Sequence, residues 1–460
     1  MTTIFQAAEQ ELDPQAPRRA DFATDFLWGA ATSSYQIEGG AQLDGRVESI
    51  WDRFAATPGK IRDGSSGAVA CDHYHRWPQD LDIGRELGLN AYRFSIAWPR
   101  IFGGPGGKPN PKGLDFYERL VDGMLARGLQ PWATLYHWDL PQALQDRGGW
   151  NERATVDAFV ELADALTRRL GDRVQHWITQ NEPWCTAMIG HHEGWHAPGI
   201  ADFRTALQVA HHVLLAHGKA LPAIRANVPD ARAGIALSLH PLRPASDSAL
   251  DHAALARHDG LRYRWFLDPL YGRGYPEDTL RLVGDAAPVI LPGDMEAIAA
   301  PTDFLGVNYY FPETVADAPG QGPLGVRVLE ARGETTAMGW PVAPQGLAEL
   351  LQRVHRDYRP GPLYVTENGA CYDDTVAADG AVRDLGRKRY LMRHLAALQG
   401  AIGEGVPVQG YFAWSLLDNF EWSEGYLRRF GLVHVDYATQ QRRLKDSALW
   451  YRSFLQQVDK

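Results

Sequence analysis

Eight short apolar and aromatic runs punctuate the chain: Leu27 to Ser33, Ala91 to Trp98, Gln130 to His137, His176 to Thr179, Ala233 to His240, Asp303 to Tyr310, Leu363 to Glu367 and Val408 to Ser415. Longer stretches separate them, among them 80–87, 115–127, 155–170, 206–225 and 385–402, whose apolar spacing is helical and which often stop at Gly or Pro. Eight strands alternating with helices predict an α/β chain closed into one parallel (β/α)8 barrel. An open doubly wound sheet is the competing fold, but no Gly-x-Gly-x-x-Gly turn follows the first run. No Ser/Gly/Pro linker, charge block or short repeat divides the 460 residues. Residues 1–20, polar and rich in Pro and Arg, read as a flexible tail, and 21–460 as a single domain.

With 46 basic and 56 acidic side chains the formal charge is −10, which argues against a nucleic-acid or anionic-membrane partner. The opening residues have no basic segment followed by an apolar one, and no apolar stretch is long enough to span a bilayer, so a cytoplasmic protein is expected. Cys71, Cys185 and Cys371 are widely spaced without a Cys-x-x-Cys pair, and they read as small buried residues.

In a barrel of this kind chemistry gathers where the strands end. The runs end in, or lead into, Gln36, Arg93, His137-Trp138, Asn181-Glu182, Asn308-Tyr309-Tyr310, Glu367-Asn368 and Trp414, with Glu421-Trp422 behind it. Glu182 and Glu367 close the fourth and seventh strands, so the fold brings two distant carboxylates to one rim among tryptophans. Glycoside hydrolysis needs such a pair: one acid to protonate the leaving oxygen and one group to attack or to activate water.

Other patterns carry less. His192-Glu193-Gly194-Trp195-His196 fits the His-Glu-x-x-His zinc signature, but Gly190, Gly194 and the Ala197-Pro198-Gly199 stop work against one continuous helix. Phe102 to Lys108 is Gly-rich without the spacer or the Ser/Thr of a phosphate loop, and His211, His212 and His217 read as packed or surface residues of a helix. No metal or cofactor is expected. A barrel that binds sugar without catalysis is the non-enzymatic alternative, and the presence of both carboxylates speaks against it.

The words Thr179-Gln180-Asn181-Glu182-Pro183-Trp184 and Tyr364-Val365-Thr366-Glu367-Asn368-Gly369 resemble the two signatures of glycoside hydrolase family 1, the β-glucosidase family of TIM barrels. Phe26 to Gly39, Ser49 to Asp52, Tyr92 to Ser95, Tyr136 to Pro141 and Trp414 to Trp422 resemble its other motifs in order. The resemblance implies a retaining double displacement, with Glu367 as nucleophile and Glu182 as general acid/base. It also implies that Arg93 and Tyr310 support the nucleophile and keep Glu367 ionised, while desolvation keeps the proton on Glu182. Gln36, His137, Trp138, Asn181, Tyr310, Trp414, Glu421, Trp422 and Phe430 are the implied sugar-binding residues, and Trp184, His196 and Trp340 the implied aglycone contacts. Glu421 stands where relatives acting on 6-phosphorylated sugars have Ser, and a carboxylate there would repel phosphate. Gln180 and His191 depart from the usual residues. The expected substrates are β-glucosides and cello-oligosaccharides, with β-galactosides and β-fucosides secondary, and the expected state is a monomer or homo-oligomer.

Overall fold

The computed structural model describes residues 16–104 and 106–457. Each of the eight runs forms a strand: β1 Leu27–Ala31, β2 Ala91–Ser95, β3 Gln130–Tyr136, β4 His176–Asn181, β5 Arg232–Ser238, β6 Phe304–Asn308, β7 Leu363–Asn368 and β8 Val408–Trp414. They pair in parallel around a closed ring in sequence order, with β8 returning to β1 so that Ala31 lies in register with both Arg93 and Trp414.

A helix follows each strand: α1 His73–Glu86, α2 Pro111–Leu125, α3 Ala154–Leu170, α4 Phe203–Asn227, α5 Ala249–Asp259, α6 Pro344–Tyr358, α7 Leu385–Gly403 and, after the last strand, α8 Asp446–Leu455. Their starts follow local chemistry. Asn110 accepts from the Lys112 amide ahead of Pro111, Asp202 accepts from the Thr205 amide, and Ser248 accepts from the Asp251 amide, each satisfying a donor that the first helical turn leaves open. α1 begins seven residues before the expected 80–87 stretch, because His73-Tyr74-His75-Arg76 precedes Pro78 and hides the apolar period.

Two cores result. Between strands and helices lies a continuous apolar layer, while the barrel interior holds Trp132, Ile178, Phe304, Tyr364 and Phe412. Trp132 plugs the floor, its ring centroid 4.3 Å from His176, 4.6 Å from Tyr364 and 5.2 Å from Phe304 and from Phe412. Above that plug the barrel turns polar.

The loops beyond the strand ends are braced. Strands 242–244, 313–317 and 326–328 form a small sheet from the connections after β5 and β6. Buried Lys445 bridges Asp374 of the loop after β7 and Asp418 of the loop after β8, and Arg387 and Arg429 complete the ion cluster. Of the expected tail, residues 1–15 lie outside the described residues; Arg19–Asp21 is a short helical turn, with the Arg19 guanidinium over Trp28.

Candidate active site

Register shifts in β4 after Ile178 and in β7 after Val365 fall just before the two carboxylates, and such irregularities re-aim side chains at a barrel rim. Glu182 itself has φ +49°, and Trp138 and Trp422 at the same rim also have positive φ, a conformation that non-glycine residues adopt chiefly where the surroundings impose it. The Glu182 amide donates to the Ala236 carbonyl at 2.8 Å, which ties the residue to β5.

One hydrogen-bond chain joins the two acids. Arg93, 1% exposed, donates to Oε1 of Glu367 at 2.7 Å, to the Thr366 carbonyl and to Oδ1 of Asn181. Asn308 Nδ2 donates to the same Asn181 oxygen at 3.1 Å and to Oε1 of Glu182 at 2.8 Å. Tyr310 donates its hydroxyl to Oε2 of Glu367 at 2.6 Å. Arg93 has only donors, so Asn181 presents oxygen to it, and its amide nitrogen faces Nε2 of His137 at 3.1 Å. The Asn308 oxygen in turn accepts from Thr366. Each amide orientation is set by its neighbours.

Burial, with the Glu182 charge adding to it, pushes the Glu367 carboxyl up to about 7, while the Arg93 guanidinium and the Tyr310 hydroxyl oppose the rise. Burial, then the Glu367 charge, pushes Glu421 up to about 8. Burial also holds His137 well below the usual imidazole range, leaving it neutral.

The sugar-binding candidates surround this chain. Gln36 is fully buried: its nitrogen donates to Asn419, to the Phe420 carbonyl and, at 3.5 Å, to Glu421, and its oxygen accepts from Ser33. His137 stacks on Trp414 at 5.8 Å and on Trp422 at 5.9 Å, and Trp138 packs on Trp422 at 4.6 Å while donating to the Asn181 carbonyl. Phe430 joins Tyr310 and Trp340 on another side.

Of the three aglycone candidates, Trp184 and Trp340 are partly exposed, Trp184 with the Arg262 guanidinium 3.8 Å over its ring. His196, also partly exposed, packs against Trp51, Trp138 and Trp422. His191 is buried with Nδ1 toward the Thr186 carbonyl, and buried Gln180 makes no side-chain hydrogen bond among the described residues. The His-Glu-x-x-His segment is no single helix: a π-helix over Cys185–Glu193 ends at Gly194, φ +70°, between the two histidines. His211, His212 and His217 are all buried in α4, where His211 meets Asp294 and His217 meets Thr179.

Two residues at the site escape sequence reasoning in this role. Asn308 stands in view at a strand end, but its contact with Glu182 needs the tertiary fold. Cys185, expected only to be buried, brings its sulfur to 2.9 Å from Oε2 of Glu182.

Known proteins resemble the chain along nearly its whole length. The chain is 47% identical over 431 residues to β-glucosidase A of Thermotoga maritima, covering 94% of this chain and 96% of the relative. It is 43% identical to a bifunctional β-D-glucosidase/β-D-fucosidase of Bifidobacterium breve, over 94% and 98% of the two. The solved family 1 β-glucosidase of Thermotoga maritima superposes with a TM-score of 0.92 at 46% identity, covering 94% of this chain and 97% of that one. Residues 18–460 match the pattern of glycosyl hydrolase family 1, and the chain belongs to that family of retaining glycosidases.

Proposed function

We propose that this chain is a β-glucosidase that releases terminal non-reducing β-D-glucosyl residues, with Glu367 as nucleophile and Glu182 as general acid/base. The observation that carries the assignment is the difference in how the two carboxyls are held. Glu367 takes one charge-assisted bond from Arg93 and one from Tyr310, which orient it and favour its anion, whereas Glu182 meets only neutral donors. That difference suits Glu367 to attack and Glu182 to give and take the proton.

In the first half-reaction Glu367 attacks the anomeric carbon while the Glu182 proton passes to the departing oxygen. In the second, the Glu182 carboxylate takes a proton from water as that water displaces the sugar from Glu367. Retention needs the carboxyl groups about 5 to 5.5 Å apart. The Glu421 carboxyl, facing the Gln36 amide nitrogen, and the His137 imidazole between Trp414 and Trp422 can hydrogen-bond the hydroxyls of the sugar. The indole faces of Trp414 and Trp422 suit the axial hydrogens of a β-glucosyl ring.

Cello-oligosaccharides and aryl or alkyl β-glucosides are the proposed substrates, with β-fucosides and β-galactosides second, and the enzyme is read as a monomer or homo-oligomer. A cytoplasmic setting fits three buried free cysteines and the net charge of −10, and that charge also speaks against nucleic-acid or anionic-membrane partners. Among the described residues no helix is long and apolar enough to cross a membrane.

The test is peptide mass spectrometry after incubation with a 2-deoxy-2-fluoro-β-glucoside carrying a good leaving group. A fluoroglucosyl adduct on the Glu367 peptide, absent from Glu367→Gln, is the expected result. An adduct on another residue, or none from folded protein that turns over the parent glucoside, overturns the assignment.

A further inference from the structure

Both oxygens of Glu182 are held by protein, and the two partners differ in kind. Oε1 faces the Asn308 amide nitrogen, whose orientation is dictated by Thr366 on one side and the Arg93-bound Asn181 oxygen on the other. That nitrogen can only donate, so Oε1 is an acceptor in every protonation state. The other oxygen, Oε2, is the one that Cys185 touches, at 2.9 Å.

The chain delivers the sulfur there by local geometry. Cys185 is the third residue after Glu182 and opens the π-helix Cys185–Glu193, and its amide donates to the Glu182 carbonyl at 2.9 Å. The residue is 7% exposed. The sulfur lines a small cavity with Ile50, Trp51, Tyr136 and Trp138, and with Thr186 and the imidazoles of His191 and His196, both held neutral by burial. Among such neighbours a thiol is a tolerable donor, since it needs no second hydrogen bond when buried. Burial, then the Glu182 charge, drives the Cys185 thiol far up, so it remains a neutral S–H.

Resting on the reading of Glu182 as acid/base, we propose that Cys185 is a positioning residue for it: its S–H occupies one lone pair of Oε2 through both half-reactions, fixes the carboxyl against rotation, and stabilises the ionised form that activates water. The other charged or titratable groups acting on the pair are Glu367 from β7, Tyr310 after β6, Glu421 after β8, and Arg262 in the turn after α5, and all of them remain when Cys185 is replaced.

The experiment compares Cys185→Ala and Cys185→Ser with the parent, measuring kcat and kcat/KM against pH on a 4-nitrophenyl β-glucoside, and repeats the alanine change in Glu182→Ala with added azide. Loss of a donor to the carboxylate moves the alkaline limb of Cys185→Ala to higher pH by about half a unit, about three-fold in the ionisation constant. It also lowers kcat several-fold through the second half-reaction. Cys185→Ser supplies an O–H in place of the S–H and restores the parent limb. In the Glu182→Ala background the further loss from Cys185→Ala shrinks to less than two-fold. An unmoved alkaline limb in Cys185→Ala overturns the proposal, as does a loss that persists undiminished without the Glu182 carboxyl. Failure of the underlying reading has a different sign: Glu182→Ala alone would keep the parent rate or gain nothing from azide.

Discussion

Arg93 shows why a buried charge at the floor of a site is worth its desolvation. It contacts Glu367, Asn181, the Thr366 carbonyl and the Thr134 hydroxyl, so β2, β3, β4 and β7 meet on one guanidinium. Arg93→Met removes the charge that opposes the burial of Glu367. The Glu367 carboxyl then rises beyond about 7, and the acid limb of kcat/KM moves to higher pH by about one unit, with kcat down about 100-fold or more. A pH–rate profile on protein shown by circular dichroism to be folded checks this, and an unmoved acid limb contradicts the role. At this scale the sequence was legible where a residue type announces its chemistry. Glu182, Glu367 and Arg93 stand out at strand ends, and paired acids imply a reaction. Cys185 was opaque because cysteine is usually buried for packing alone, and only the turn after Glu182 reveals what its sulfur faces.

Among the elements, the seam between β7 and β8 carries the tightest constraint. Gly369 follows Asn368 directly, and a Cβ there would collide with the Trp414 carbonyl, a backbone atom that cannot swing aside. Gly369→Ala must therefore pry the ends of the two strands apart, displacing Glu367 and Trp414 together. The expected result is a loss of kcat of about 100-fold with a drop of several degrees in Tm, read by steady-state kinetics and thermal melting; parent-like values on both would show that the seam is slack. All eight strands were legible, because strands buried on both faces appear as plain apolar runs. Helix ends were less so. α4 runs over Phe203–Asn227 against an expected 206–225, while α1 was half hidden by Pro78 and a polar opening turn. The π-helix after β4 was not legible at all, since its shape comes from packing against α4 and from Gly194 rather than from any apolar period.

For the whole molecule, burial of ionisable groups sets a narrow pH range of greatest stability. Burial pushes Asp139 and Glu367 up to about 7 and Glu421 up to about 8, so the folded protein keeps protons that the unfolded chain releases above about pH 4. Their contribution to stability falls as pH rises toward 8. Burial acts with the opposite sign on the histidines: His176 and His191 drop to about 4, and His196, His217, His240 and His394 to about 3. Unfolded histidines take up protons below about 6.5, so stability is lost as pH falls through that value. Thermal melts from pH 5 to 8.5 should peak near pH 6.5, fall steeply on the acid side and decline by a few degrees on the alkaline side. Asp139→Asn should flatten part of the alkaline decline; a monotonic rise in Tm to pH 8.5 would show that these carboxyls are ionised at no cost. The closed ring was predictable at this scale from the count and alternation of elements, whereas the ion cluster around Lys445 joins loops that have no common pattern in sequence.

The aromatic plug at Trp132 has a consequence for the order of events. A barrel stopped at its floor is a cul-de-sac: whatever enters must leave by the same mouth, and the sugar held deepest is the last to go. The departing alcohol must clear the doorway before water or another hydroxyl can come in, so hydrolysis and sugar transfer compete for one threshold. A glycoside can offer only its terminal sugar to such a blind alley.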